Sequence, residues 1–152
     1  MAADFRYSRR PIMAWIKEWE KFQAHSYICP GGWPTIGYGH VIKPGESFNH
    51  PLSEAEGAQL LLNDLKRASL SIHRLIQVPL TAEQQDALLS FTFNVGAGAL
   101  QRSALRCKIN RYEHQSVPQE LLRWVWAGGR KHRGLIKRRT IEGLIYANEN
   151  SR

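Results

Sequence analysis

The chain has 152 residues, enough for one domain of ordinary size whose core needs no disulfide staples. With 43% hydrophobic and 22% charged residues its composition is globular, which excludes a disordered or collagen-like chain. The formal net charge is +8, and all of the excess lies in the last third: residues 1–100 hold nine Lys/Arg and nine Asp/Glu, residues 101–152 twelve and four. Six of the ten residues from Arg130 to Arg139 are basic, a run that favours a polyanionic partner or forms a solvated face. No apolar run reaches the roughly 18 residues a bilayer span needs. Met1–Arg10 holds three arginines and no apolar core, so no secretory signal is expected. Cys29 and Cys107 form neither a disulfide framework nor a CxxC motif, which fits a reducing compartment.

Pro11 suits a first helical turn, and Ile12, Trp15, Ile16, Trp19 and Phe22 follow at steps of three and four, predicting a helix over 11–24. From 26 to 51 the chain turns to four prolines, five glycines and short β-type runs, a small β segment. Ser53-Glu54-Ala55-Glu56 is a capping box opening a long helix over about 53–77. Thr81-Ala82-Glu83-Gln84 is a second box, opening a helix through Phe91 that Gly96 and Gly98 should stop. Shorter helices are expected over Ser103–Arg111, Pro118–Ala127 and Ile136–Ala147. The expected class is α+β, mainly helical. The absence of βαβ alternation and of long strands disfavours a Rossmann fold, a TIM barrel or a sandwich.

Glu20 stands near the C-terminal end of the first predicted helix, between Trp19 and Phe22. The helix dipole and partial desolvation there both favour the protonated carboxyl that a general acid requires. Taken alone, a glutamate on an amphipathic helix is ordinarily a solvated charge. The spacing argues otherwise. Eight residues separate Glu20 from Cys29, five separate Cys29 from Thr35, and Thr35 opens Thr35-Ile36-Gly37-Tyr38-Gly39-His40. This pattern resembles the phage-type lysozymes, the endolysin family that hydrolyses cell-wall peptidoglycan, with its catalytic Glu, an Asp after eight residues, and a Thr after five within a T-I-G-x-G-H hairpin. Leu60–Leu65 is similar to the family's interlobe helix, which implies that Asp64 pairs with His40. Phe91–Gly98 followed by Arg102-Ser103 resembles the far wall of the family's cleft, which implies that Phe93, Asn94 and Ser103 bind substrate. Gly134–Arg139 is similar to the start of the family's C-terminal basic helix.

The resemblance implies a single lysozyme-like domain over 1–152. Its small β lobe would span about 26–51 and its interlobe helix about 53–77. A helical lobe would span about 80–148 and include helix 11–24. It also implies a muramidase cutting the β-1,4 bond between N-acetylmuramic acid and N-acetylglucosamine, with Glu20 as the acid and Cys29 and Thr35 positioning water. Two departures stand out: Lys21 where the family usually has glycine, and Cys29 at the aspartate position. A thiol is a weaker acceptor and base than a carboxylate at neutral pH. The alternatives are therefore lytic transglycosylation, in which the sugar's own 6-hydroxyl attacks, or a non-catalytic peptidoglycan-binding module. Trp33, Tyr38, Trp124 and Trp126 are candidates for stacking on sugars, though aromatics at helical spacing more often belong to a core.

No HExxH motif or ligand-spaced histidine set occurs, so neither a metal nor a cofactor is expected. Peptidoglycan is the expected partner, and the basic last third is a candidate contact for an anionic membrane surface. Nucleic acid is not expected, because the basic run lacks an aromatic-interleaved sheet, a zinc pattern or a bZIP heptad. A monomer is expected, located in the host bacterial cytoplasm before release to the wall.

Overall fold

A computed structural model describes residues 11–148. The expectation about Met1–Arg10 lies outside the described residues. Seven α-helices and five short strands make the described chain mainly helical with a little sheet, as the periodicities predict. It divides into two compact units, one of Met13–Lys66 and the other chiefly of the residues from Arg67 onward.

The Met13–Lys66 unit begins with α1, Ile12–Glu20. Trp15 and Trp19, one turn apart, stack with ring centroids 5.4 Å apart, and Ile16 is fully buried. The helix is shorter than the predicted 11–24. Lys21 adopts a left-handed conformation with φ 59°, which ends the turn and releases Phe22 from the helical face it was expected to share. The β segment therefore starts three residues early. β1 (Gln23–Ile28), β2 (Pro34–Gly37) and β3 (His40–Val41) form an antiparallel sheet in that order. Tyr27 faces Thr35, and Ile36 faces His40. Pro30, Gly31 and Gly32 form a three-residue hairpin loop, closed by Cys29 N–H donating to Trp33 O at 2.9 Å. Gly32, at φ +86°, fills the left-handed position such a loop requires.

α2, Glu54–Leu75, is capped by the predicted box: Glu56 N–H donates to Ser53 Oγ at 3.1 Å and Ser53 N–H to Glu56 Oε1 at 2.9 Å. Phe22, freed from α1, lies over Gly57 of α2, where a Cβ would stand 2.7 Å from Phe22 Cε1. Glu54 Oε1 accepts from Tyr38 Oη at 2.9 Å and from Lys17 Nζ at 3.2 Å. One carboxylate thus ties α1 and the β2–β3 turn to the start of α2. The compact unit changes within α2, between Lys66 and Arg67. α1 from Met13 onward falls in the same compact unit as the sheet.

The second unit holds α3 (Ala82–Val95), α4 (Ala97–Arg102), α5 (Ala104–Asn110), α6 (Val117–Leu121) and α7 (Arg133–Tyr146). Both halves of the Thr81–Gln84 box are made, at 2.9 and 3.1 Å. Gly96 (φ 92°) ends α3, but Gly98 lies inside α4 and stops nothing. Leu88, Phe91, Leu100, Leu105, Ile109, Leu121 and Ile145 are fully buried in this unit. The predicted helix over Pro118–Ala127 ends at Leu121. Instead, β4 (Trp126–Ala127) and β5 (Arg130–Lys131) form a hairpin, because Gly128 and Gly129 both take positive φ and reverse the chain. α7 begins three residues before the predicted Ile136, with the ring of His132 accepting from Leu135 N–H at 3.3 Å. No helix among the described residues is long and apolar enough to cross a membrane.

Candidate active site

Glu20, Cys29 and Thr35 all belong to the Met13–Lys66 unit. Glu20 is the last residue of α1 and is half-buried. Its carboxylate rests on the β2–β3 turn: a Cβ on Gly39 would lie 2.7 Å from Oε2 and 3.0 Å from Cδ. Gly39 also sits at φ +73°, so glycine is needed there both for the turn and for the approach of the carboxylate.

Cys29 follows the end of β1, at the mouth of the hairpin loop. Partial burial pushes its thiol pKa up. Hydrogen bonds from Trp33 N–H, the Thr35 hydroxyl and the N–H groups of Gly31 and Gly32 outweigh this, and the net direction is down. Thr35 is buried in the centre of the sheet, with Oγ1 2.9 Å from Trp33 O. One hydroxyl carries one proton, so Thr35 serves the carbonyl or the sulfur, not both at once.

Tyr27, the cross-strand partner of Thr35, was not singled out from the sequence. Burial raises its phenol pKa, and negative charge on Glu20 and on Cys29 raises it further. The phenol therefore feels both groups. Its strand alternation was legible, but nothing in the spacing of residues marks it as their shared neighbour.

His40 is buried, with Nδ1 2.8 Å from Asp64 Oδ2. Its Nε2 lies 3.0 Å from Oε1 of Glu46, a partner the sequence reading did not identify. Glu46 also caps its own Lys43–Glu46 turn, accepting from Lys43 N–H at 2.7 Å. Hydrogen bonding to Asp64 raises the His40 pKa. Burial opposes that, while the Asp64 charge and both effects of Glu46 add to it. Through its two ring nitrogens His40 braces β3 to α2 and to the loop after β3, and the protonated ring donates at both. Among the described residues, no group of three or more His, Cys, Asp or Glu side chains is placed to hold a metal ion.

The remaining predicted residues lie in the second unit. Ser103 caps α5, accepting from Arg106 N–H at 3.0 Å and donating to Leu100 O at 2.7 Å. It also lines a cavity of about 260 Å³ with Arg102, Ala104, Glu120, Arg123 and Trp124. Phe93 is half-buried on α3, and the exposed Asn94 accepts from Arg139 through Oδ1. Arg139 also donates to Glu142 and to Trp124 O. Arg138 donates to Ser90 Oγ and Ser90 O and pairs with Glu142. Two of the six basic residues of the 130–139 run are thus core groups, and only Arg130, Lys131, Arg133 and Lys137 present charge to solvent.

The family model of phage lysozyme matches residues 17–142, which include the three spaced residues of the hairpin unit and the buried arginines. The chain belongs to the phage lysozyme family. It is similar to the endolysin of Bacillus phage B103, at 34% identity over 142 residues, 90% of this chain and 52% of that protein. It is also similar to the SAR-endolysin of Escherichia phage Mu, at 42% identity over 112 residues, 74% of this chain and 64% of that protein. The chain thus spans between about half and two thirds of the length of these curated relatives. Among solved structures it resembles the muramidase domain of SpmX from Asticaccaulis excentricus, with TM-score 0.80 and 27% identity, covering 91% of this chain and 96% of that one. The expected lysozyme-like α+β fold is therefore that of this phage lysozyme family member. The left-handed Lys21 occupies the position where the resemblance led us to expect glycine.

Proposed function

We propose that this chain is a peptidoglycan-degrading endolysin that hydrolyses the β-1,4 bond between N-acetylmuramic acid and N-acetylglucosamine. Glu20 donates its proton to the departing glycosidic oxygen. The Cys29 thiolate accepts a proton from the attacking water, and Thr35 orients that water or the thiolate. Membership of the phage lysozyme family supports the peptidoglycan reading, as do relatives named endolysin and a structural neighbour named a muramidase domain.

The observation that carries the assignment of residues is the seat of Glu20 on Gly39 of the β2–β3 turn, in the unit whose strand β2 carries Thr35 beside the Cys29 hairpin loop. It supports an acid and a base sharing one neighbourhood. The lowered thiol pKa of Cys29 supports the hydrolytic reading, because it enlarges the thiolate fraction that replaces a carboxylate base near neutral pH. Mass spectrometry of muropeptides released from purified cell walls tests the proposal. Muropeptides ending in reducing N-acetylmuramic acid are expected. Products with 1,6-anhydro ends would replace hydrolysis with transglycosylation, and an absence of glycan cleavage would leave only a binding module.

A further inference from the structure

Trp126 and a group of exposed basic residues left unused by this mechanism lie on and beside the β4–β5 hairpin. Trp126 and Lys131 are cross-strand partners, as are Ala127 and Arg130. Cross-strand partners share a face, and Lys131 Nζ lies 5.7 Å from the Trp126 ring centroid. Trp126 is 56% exposed, while Trp124, two residues earlier, packs edge-on against the buried Phe91. The structure therefore separates two tryptophans that sequence alone treats alike. One is half-buried, with its ring against the core. The other is a large apolar ring held in solvent beside a cation.

From Leu121 to Ile141 the chain contains no Asp or Glu. Arg123, Arg130, Lys131, Arg133 and Lys137 are exposed along it. At the hairpin tip, Gly128 and Gly129 have open space where a Cβ would project, and Ala127 is the largest apolar residue beside them. Such a tip carries no wedge for entering a bilayer. It suits lateral grip on a polar polymer that offers both flat sugar faces and negative charge.

We infer that the β4–β5 hairpin holds the anionic glycan strands of peptidoglycan. The free face of Trp126 stacks on a sugar ring, and Lys131 and Arg130 meet carboxylates of the stem peptides. This rests on the peptidoglycan reading above and adds a holding surface to it.

The test is co-sedimentation of the full chain with purified peptidoglycan sacculi, with Glu20→Gln introduced to stop turnover. Adding Trp126→Ala is expected to weaken retention about fivefold. Trp126→Tyr, which keeps a ring beside Lys131, restores most of it. Adding Arg130→Gln with Lys131→Gln instead weakens retention at low salt and flattens its salt dependence, since exposed charges are screened beyond a Debye length of about 8 Å at physiological ionic strength. Melting temperatures identify any variant that has lost its fold, and the Tyr variant and the charge pair then decide the question. Equal retention of folded variants would overturn the inference, as would a Glu20→Gln protein that fails to bind sacculi. Loss of binding to phosphatidylglycerol vesicles with sacculus binding intact would overturn it in favour of a membrane surface. Muropeptide release by the unaltered chain is scored separately, so failure of the catalytic reading is distinguishable from failure of this one.

Discussion

The carboxylate of Glu20 rests on the bare Cα of Gly39, with Oε2 only 2.7 Å from where a Cβ would stand. The turn between β2 and β3 thereby bounds the position of the carboxylate at the end of α1. Gly39→Ala should act twice. The methyl group displaces the carboxylate, and an alanine at φ +73° is strained by roughly 1–2 kcal/mol. We expect wall-lytic activity to fall at least about tenfold, beyond what the lower melting point explains, since small misplacements of a reacting group are costly. A folded variant with undiminished kcat would mean that this contact does not set the acid's position.

Lys21 holds a left-handed conformation that glycine adopts without cost. Lys21→Gly is expected to stabilise the chain by about 0.5–1 kcal/mol, the removed strain being partly offset by the extra freedom of glycine when unfolded. Chemical denaturation of the two proteins measures it. A destabilised glycine variant would show that the lysine stem contributes packing that outweighs the strain.

Much of the fold was legible because its signals are local. The boxes at Ser53–Glu56 and Thr81–Gln84 each need only four residues, and both form. The errors arose where one backbone torsion decides. Phe22 kept perfect helical spacing, yet the turn at Lys21 took it off the helix, and it packs over Gly57 of α2. Val125 and Trp126 continued an apolar helical run, but two consecutive glycines favoured a hairpin. At the candidate site, Glu20, Cys29 and Thr35 were singled out as candidates by a spacing that resembles the phage-type lysozymes. Tyr27, Gly39 and Glu46 were not, because their roles depend on cross-strand register and on a turn folding back. The charge count misled for a related reason: Arg138 and Arg139 look like surface cations until Glu142, one helical turn on, is seen to neutralise them inside the core.

That buried cluster makes Glu142 the side chain whose neutralisation should matter most. It is fully buried, pairs with Arg138 and Arg139, and accepts from Ser90 Oγ at 2.5 Å. Glu142→Gln removes the charge of the carboxylate that these two buried guanidinium groups share and is expected to cost about 3–5 kcal/mol. The exposed Lys137→Gln should change stability by less than about 0.5 kcal/mol. Equal melting temperatures for the two variants would refute the idea that charge pairing holds this core.

The His40 pair predicts a pH dependence of stability. Its native pKa is raised, chiefly by the hydrogen bond to Asp64, so folding favours the imidazolium. The resulting stabilisation is fully present below the unfolded histidine pKa of about 6.5 and is lost as pH climbs through the raised native value. Glu46 contributes in the opposite sense. Its pKa is lowered, first by Lys43 N–H and then by His40, so its stabilisation is lost as pH falls. Melting curves between pH 5 and 9 (roughly the window in which histidine titrates) should show the unaltered chain losing more stability on the alkaline side than His40→Gln. Parallel curves for the two proteins would remove the ion pair from the account.

Proton donation by Glu20 is tested most directly by comparing soluble muropeptide release from purified walls by the unaltered chain and by Glu20→Gln at equal folded concentration. Removing a general acid is expected to slow release about 10²–10⁴-fold while sacculus binding persists. A Glu20→Gln protein that releases the same products within a few-fold of the original rate would contradict the assignment, whatever the geometry around Gly39.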